Sequence, residues 1–450
     1  MARLRDEGAP MSYLIYNALS TCFLIFSAPY FLLRSLAQRH LRKEFLQRIG
    51  CLPKISTRRP VWVHAASVGE VFCSIPLVRR IRREFPHCEI VLTTMTRTGS
   101  GTAQKHLPEA DQVLLFPIDH PLTIRKWVSK IDPVLLMIAE TELWPNLLRH
   151  CGKRGIPIIL FNGRISQKSF RNYLLLKSFF RNCLKEISLF LMQTEQDRAR
   201  IIAMGARSDR TRVLGNLKFD QSFPSVTHET MAETAKSLGL GGKEPILIAG
   251  STHPGEEETL LSLLKEMRKD APPLTLLLAP RHLDRLGEVE KLLEKESIPW
   301  IRKTSLTAVD RPGQEERGKG PEVILLDTMG ELMKLYSLGT LVFVGGSLVP
   351  VGGHNPLEPL FFKKCVLFGP HMFNFSEIAR SLIEAGGAVQ VRGREDLFLH
   401  LKRLLSDEGA RDEIGQKGYQ FLQKHRGAKE KTFEEIRPFL EKGWDARTME

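Results

Sequence analysis

The sequence predicts an α/β protein of two doubly wound, Rossmann-like domains, each a parallel sheet covered by helices. Three observations predict it. Beyond residue 60, short apolar runs alternate with longer amphipathic stretches, the pattern of buried parallel strands joined by crossover helices. A polar stretch at residues 218–244, with Pro224, Gly239, Gly241 and Gly242, breaks the alternation into two sets. Polar or glycine-bearing loops follow several of the runs, at the carboxyl ends of strands where ligands of such sheets bind.

In the first set the expected strands are Val61–His64, Glu89–Thr94, Val113–Phe116, Val134–Ile138, Pro157–Phe161 and Leu189–Gln193. The second set is Ile246–Ala249, Leu274–Leu278, Val323–Leu326, Leu341–Val344, Val366–Phe368 and Ala388–Val391. Residues 1–44 read as an N-terminal extension and membrane anchor, 45–217 as the first domain, 218–244 as a linker and 245–450 as the second domain. A cleft between the two sheets is expected. Residues 302–322, rich in Arg, Lys, Glu and Gly, read as a solvated excursion.

A chain of 450 residues, 42% of them hydrophobic, suits two domains of about 150 to 200 residues with full cores. Its seven cysteines, at 22, 51, 73, 88, 151, 183 and 365, form no CxxC pair and no zinc-spaced cluster, which points to a reducing compartment without a structural metal. The formal charge of +14 implies an anionic partner: nucleic acid, anionic lipid or a phosphorylated substrate. Dispersed basic residues and the lack of a recognition module argue against nucleic acid.

From Tyr13 to Leu33 the chain carries no charge over 21 residues, enough for about 30 Å of helix. Asn17, Ser20, Thr21, Ser27 and Pro29 dilute its apolarity, so a spanning helix and one lying in the interface both remain open. Arg34, Arg39, Arg42 and Lys43 follow and place that flank, with the body of the protein, on the cytoplasmic side.

Several strand ends carry chemistry. After Val61–His64 comes Ala65-Ala66-Ser67-Val68-Gly69-Glu70, which presents Glu70 at a strand-to-helix turn as a general base or as an ordinary first-turn glutamate. Glu140 and Glu142 follow Val134–Ile138, and buried carboxylates there need cationic partners. Arg164 and Lys218 are available as partners, in a structural network or around a sugar acid. In the second domain, Gly250–Glu257 is a loop entering a helix, Arg281 can fork to a phosphate, and Asp327–Glu331 can read a base or ribose. The stretch Gly352-Gly353-His354-Asn355-Pro356-Leu357-Glu358-Pro359 is a glycine loop with an N-cap asparagine and a first-turn proline, fit to hold a phosphate at a helix start.

The segments VHAASVGE, AETELWPN, NGRIS, GNLKFD, AGSTHPGEEE, APRH, DTMGEL and VGGSLVPVGGHNPLEP, in this order behind an apolar N-terminus, resemble the 3-deoxy-D-manno-octulosonic acid (Kdo) transferases over nearly all of residues 11–430. That resemblance implies a GT-B fold, a CMP-Kdo donor, a lipid A precursor (lipid IVA) as acceptor in lipopolysaccharide synthesis at the inner membrane, and inversion with neither metal nor cofactor. Carried over by motif, Glu70 is the catalytic base, with Glu140 and Lys218 stabilising the transition state. CMP is then held by Pro280 and Arg281, by Met329, Gly330 and Glu331, and by Asn355, Pro356, Leu357 and Glu358. A nucleotide-sugar epimerase of the same fold and a non-catalytic membrane-attached nucleotide or polyanion binder are the alternatives.

Arg164, Lys168, Arg171, Lys177, Arg181 and Lys185 recur at helical spacing, with Phe170, Tyr173, Leu174, Phe179 and Phe180 between them. The pattern fits a membrane-facing helix that admits an acidic glycolipid, and equally a helix packed on the domain core.

Overall fold

The computed structural model describes residues 11–37, 39–53, 55, 59–221, 226–240, 245–268, 274–306 and 322–448. Two compact units emerge, one of Met1–Gln221 with His425–Glu450 and one of Ser222–Lys424. Each is built on a sheet of seven described strands, all paired in parallel.

The first sheet comprises β1 (Val61–His64), β2 (Ile90–Thr94), β3 (Gln112–Leu115), β4 (Leu135–Ala139), β5 (Ile158–Gly163), β6 (Leu189–Met192) and β7 (Thr211–Val213), in the order β3-β2-β1-β4-β5-β6-β7. Strand order reverses between β1 and β4. The second comprises β8 (Ile246–Thr252), β9 (Thr275–Pro280), β10 (Trp300–Arg302), β11 (Val323–Leu325), β12 (Leu341–Val344), β13 (Cys365–Phe368) and β14 (Val389–Gln390), ordered β10-β11-β9-β8-β12-β13-β14. Its reversal falls between β8 and β12. In open parallel sheets such a switch point is where flanking loops diverge and leave room for a ligand. β7 and β10 have no counterpart among the expected strands: both are three-residue edge strands, only partly buried, and leave no apolar run.

Central strands are buried along their whole length, with Trp62, Phe116, Trp127 and Phe190 on one face of the first sheet and Leu77, Ile81, Phe161 and Phe433 on the other. Phe433 comes from the terminal helix Ala428–Thr448, which corrects the expectation that residues to 450 belong to the second domain. Phe433, Ile436 and Leu440 of that helix join the first core, Arg80 pairs with Glu430 and lies 4.1 Å over the Phe433 ring, and Arg437 pairs with Glu84. Long-range docking of this kind leaves no local signal in the sequence. The expected linker is also reshaped: residues 226–240 include the helix His228–Ser237, whereas Pro224, Gly241 and Gly242 lie outside the described residues, as do residues 1–10 and most of 302–322.

An N-terminal helix forms over Met11–Ala37. No helix among the described residues is long and apolar enough to cross a membrane, which corrects the expectation of a transmembrane helix. Asn17, Ser20 and Thr21 lower its hydropathy, and one side of it is committed to the first unit. Tyr13 is buried beside Cys183 and Phe179, Tyr16 donates to Asp119 at 3.0 Å, and Thr21 lies 3.3 Å from the His120 ring. The basic aromatic stretch forms two helices, Gln167–Leu175 and Lys177–Leu184, rather than one, because Leu176 leaves helical geometry (φ −118°, ψ 36°).

Asp220 closes the first unit by accepting from Gly427 N–H and Lys429 N–H, both at 2.7 Å, at the start of the terminal helix. Asp220→Ala is expected to cost about 1 to 2 kcal/mol, because two partly buried amides at the helix start lose their acceptor. Urea unfolding followed by limited proteolysis of residues 425–450 measures it.

Candidate functional site

Glu70 and Glu140 stand at the switch point of the first sheet and Asn355–Glu358 follow β12 at that of the second, with Arg281 after the neighbouring β9, whereas Met329–Glu331 follow β11, farther from the reversal. In the first unit, Ser67 caps the helix Val68–Glu84 and accepts from Glu70 N–H. The Glu70 carboxylate folds back on the same turn: Oε2 accepts from Ala66 N–H at 2.7 Å and Oε1 from the Ser67 hydroxyl at 2.9 Å. Glu70 is only 7% exposed. Burial and the nearby Glu140 carboxylate push its carboxyl up to about 7, against the lowering effect of those two hydrogen bonds. A carboxyl of that kind is half ionised near neutrality, as a general base requires.

Glu140, on the neighbouring strand end, has a left-handed backbone (φ 54°), and its N–H donates to Phe161 O at 2.9 Å. Its Oε1 faces Lys218 Nζ at 3.7 Å, with both side chains largely withdrawn from solvent. Glu142 is raised by burial and by Glu140. Of the two expected cations, Lys218 is the partner. Arg164 forms no ion pair with either carboxylate among the described residues, and its segment is joined to theirs through backbone bonds with the Thr141 hydroxyl. Glu70, Glu140 and Lys218 thus share one electrostatic site.

In the second unit the glycine loop departs from expectation. Gly352 (φ 112°) and Gly353 (φ 73°) adopt backbone that glycine favours, but both their N–H groups donate to Gly346 O, at 3.1 and 2.7 Å, and are already committed. The preceding loop is also filled from within. Glu256, fully buried, accepts from Gly346, Ser347, Leu348 and His253 N–H at 2.7 to 3.0 Å. The sequence reading missed Glu256 because a first-turn glutamate normally faces water; its signal is the pairing of Gly255-Glu256 with Gly345-Gly346 across the switch point.

What remains for a ligand lies further along. Asn355 Oδ1 accepts from Leu357 N–H at 3.1 Å, and its Nδ2 donates to Glu358 Oε1 at 3.1 Å, behind the buried Pro356 and Leu357. Burial pushes the Glu358 carboxyl up to about 7, opposed by Asn355 and by Arg281. Arg281 follows β9 and its buried end Pro280, and donates its own N–H to Thr252 O. His253 and His354 stack at 5.2 Å with Nε2 atoms 2.9 Å apart, so one ring donates to the other. Burial holds His354 down to about 3, with Arg281 adding to it, so that ring is neutral at pH 7, and burial lowers His253 as well. Met329 and Gly330 are exposed after β11, while Glu331 accepts from Lys303 at 2.6 Å and from the Thr328 hydroxyl. Lys303 lies within the stretch 302–322 read as a solvated excursion, yet it reaches the expected nucleotide loop.

The model of the family described as 3-deoxy-D-manno-octulosonic-acid transferase (kdotransferase) matches residues 43–221. Over 415 residues the chain is 36% identical to the 3-deoxy-D-manno-octulosonic acid transferase of Haemophilus influenzae, covering 91% of this chain and 94% of that protein. It is 30% identical to the enzyme of the same name from Chlamydophila psittaci, over 95% and 97% of the two chains. Among solved structures, UDP-GlcNAc 2-epimerase from Neisseria meningitidis matches with TM-score 0.55 at 13% identity, covering 84% of this chain and 100% of that one. A glycosyltransferase from Rickettsia africae matches with TM-score 0.54 at 11% identity, over 85% and 99%. These structural likenesses are ones of fold alone.

Replacing Glu140 by Gln removes the charge that opposes ionisation of Glu70. The Glu70 midpoint, followed by carboxyl carbon NMR titration, is expected to fall below its value of about 7. An unmoved midpoint would remove Glu140 from the causes and leave burial and Glu142.

Proposed function

The chain belongs to the 3-deoxy-D-manno-octulosonic acid transferase family of glycosyltransferases, and from that premise we propose that it moves Kdo from CMP-Kdo to a lipid A precursor, lipid IVA, in lipopolysaccharide synthesis. Glu70 is the base. Its carboxylate takes the proton of the acceptor hydroxyl as that oxygen bonds to the Kdo anomeric carbon. The bond from that carbon to the phosphate oxygen breaks on the opposite face, its electron pair leaves with CMP, and configuration inverts. Support comes from the Glu70 carboxyl itself: buried, at a switch point, and held near neutrality by its surroundings.

Kdo carries its own carboxylate beside the reacting carbon, so the transition state combines an oxocarbenium-like centre with two anions. Lys218 and Glu140 supply charges of either sign for it, and their pairing at 3.7 Å offsets one charge by the other before substrate enters. CMP is assigned to Pro280, Arg281, Met329, Gly330, Glu331, Asn355, Pro356, Leu357 and Glu358. With the Gly352 and Gly353 amides committed to Gly346, the Arg281 guanidinium is the main counter-charge for the phosphate.

We place the enzyme on the cytoplasmic face of the inner membrane. The outer side of the N-terminal helix exposes Leu14, Ile15, Leu19, Phe23 and Phe26, and Leu175 and Leu176 protrude near Arg171, Lys177 and Arg181. An apolar ridge with basic neighbours suits an anionic leaflet.

Glu70→Gln is expected to lower turnover by about 10²- to 10⁴-fold with CMP affinity kept. Arg281→Ala is expected to weaken CMP binding about 10- to 100-fold, from loss of a charged hydrogen bond. Product mass spectrometry with CMP-Kdo and lipid IVA, beside calorimetric CMP titration, reads both. CMP release that proceeds without lipid would favour an epimerase-like activity, and no release would favour a mere binder. Charge reversal at Arg171, Lys177 and Arg181 is expected to reduce sedimentation with anionic vesicles; equal sedimentation would remove this surface from membrane attachment.

A further inference from the structure

Asn162 ends up at the centre of the first unit's site although it touches none of the charged groups. It is 2% exposed, near the end of β5, where the pairing with β6 shifts register between Leu160 and Gly163. Its backbone is left-handed, φ 53°, a region that asparagine tolerates better than most residues and one that re-aims a side chain at a bulge. Each polar group is used. Oδ1 accepts from Leu217 N–H at 2.9 Å, Nδ2 donates to Cys73 Sγ at 2.8 Å, and the carbonyl accepts from Gln193 Nε2 at 2.8 Å. Gln193 Oε1 in turn accepts from Asn216 Nδ2 at 2.9 Å, and Asn216 Oδ1 accepts from Lys218 N–H at 3.0 Å.

One chain of bonds therefore joins two loci. Cys73 lies one turn beyond Glu70 on the same helix, and burial pushes its thiol up to about 12, so its sulfur is a neutral acceptor. At the other end, residues 216–218 bring Lys218 to Glu140. The charged or titratable groups around Glu70 and Cys73 are Glu140 and Glu142 after β4, Arg164 after β5 and Lys218 after β7. Of these, Lys218 is joined to Asn162 through the backbone of Leu217 and through Gln193 and Asn216.

We propose that Asn162 is a positioning residue for the transfer reaction: its side-chain amide ties the helix that carries Glu70 to the turn that carries Lys218, so that Lys218 offsets Glu140 beside the base. The inference rests on the assignment of Glu70 as base. With Asn162 truncated, Lys218 leaves Glu140 uncompensated, and the greater negative potential at Glu70 disfavours its ionisation.

Asn162→Gly tests this, since glycine keeps the left-handed backbone and deletes both side-chain bonds. Turnover is expected to fall about 10- to 100-fold, the cost of a misplaced group, while the donor KM and CMP affinity stay within about threefold. The acid limb of kcat/KM should move to higher pH by about half a unit or more. Gln193→Leu, which leaves Asn162 in place, should shift the limb the same way by less, and Cys73→Ser, which retains an acceptor, should behave as the unsubstituted enzyme. A limb at or below its original position in Asn162→Gly and Gln193→Leu overturns the proposal, as does a loss of turnover that follows only the folded fraction by circular dichroism. Activity in Glu70→Gln would instead sink the base assignment, whatever Asn162→Gly does.

Discussion

The first unit turns on a carboxylate closed against the first turn of its own helix. Glu70 receives Ala66 N–H and the Ser67 hydroxyl, so the turn after β1 is completed by the group that the turn exposes to chemistry. Two hydrogen bonds and the helix N-terminus favour the ionised form; burial and Glu140 oppose it and win. The position of Glu140 is not free to vary. It stands at the end of β4, the strand against which β1 pairs where the sheet reverses order, so topology brings the two carboxylates together and Lys218 makes the arrangement tolerable.

A second carboxylate plays a different part in the other unit. Glu256 also sits in the first turn of a helix after a switch-point strand, but it is fully buried and takes four backbone amides for itself. The amides of the loop after β12 are thereby taken up by a carboxyl group of the protein itself, one that burial raises against the pull of its four hydrogen bonds. Two glutamates in like positions so divide into one that holds a loop and one that remains poised to exchange a proton. The difference lies in the number of donors each finds: two for Glu70, four for Glu256.

Much of this was legible in the sequence, and for identifiable reasons. Strands such as Val61–His64 and Leu341–Val344 announce themselves because burial on both faces demands continuous apolar runs. The pairing of Glu140 with Lys218 is foreseeable because a carboxylate after a buried strand needs a cationic partner. The terminal helix was assigned to the wrong unit because Phe433 and Leu440 are amphipathic-helix residues whichever sheet they cover. Asn162, Glu256 and Lys303 escape a sequence reading because their importance lies chiefly in hydrogen-bond partners 28 to 92 residues away, which no local pattern encodes. The length of the apolar N-terminal segment suggests an anchor, whereas Tyr13 and Tyr16 bind one side of it to the protein.

The central claim is that an acid held near neutrality by burial and by a neighbouring carboxylate removes the acceptor proton. It is tested most directly by the pH dependence of kcat/KM in the unsubstituted enzyme, which reports ionisations of the free protein. An ascending limb is expected with a midpoint near the value of about 7 set by the surroundings of Glu70. A midpoint near 4.3, the ordinary range of an exposed glutamate at roughly that value, would contradict it.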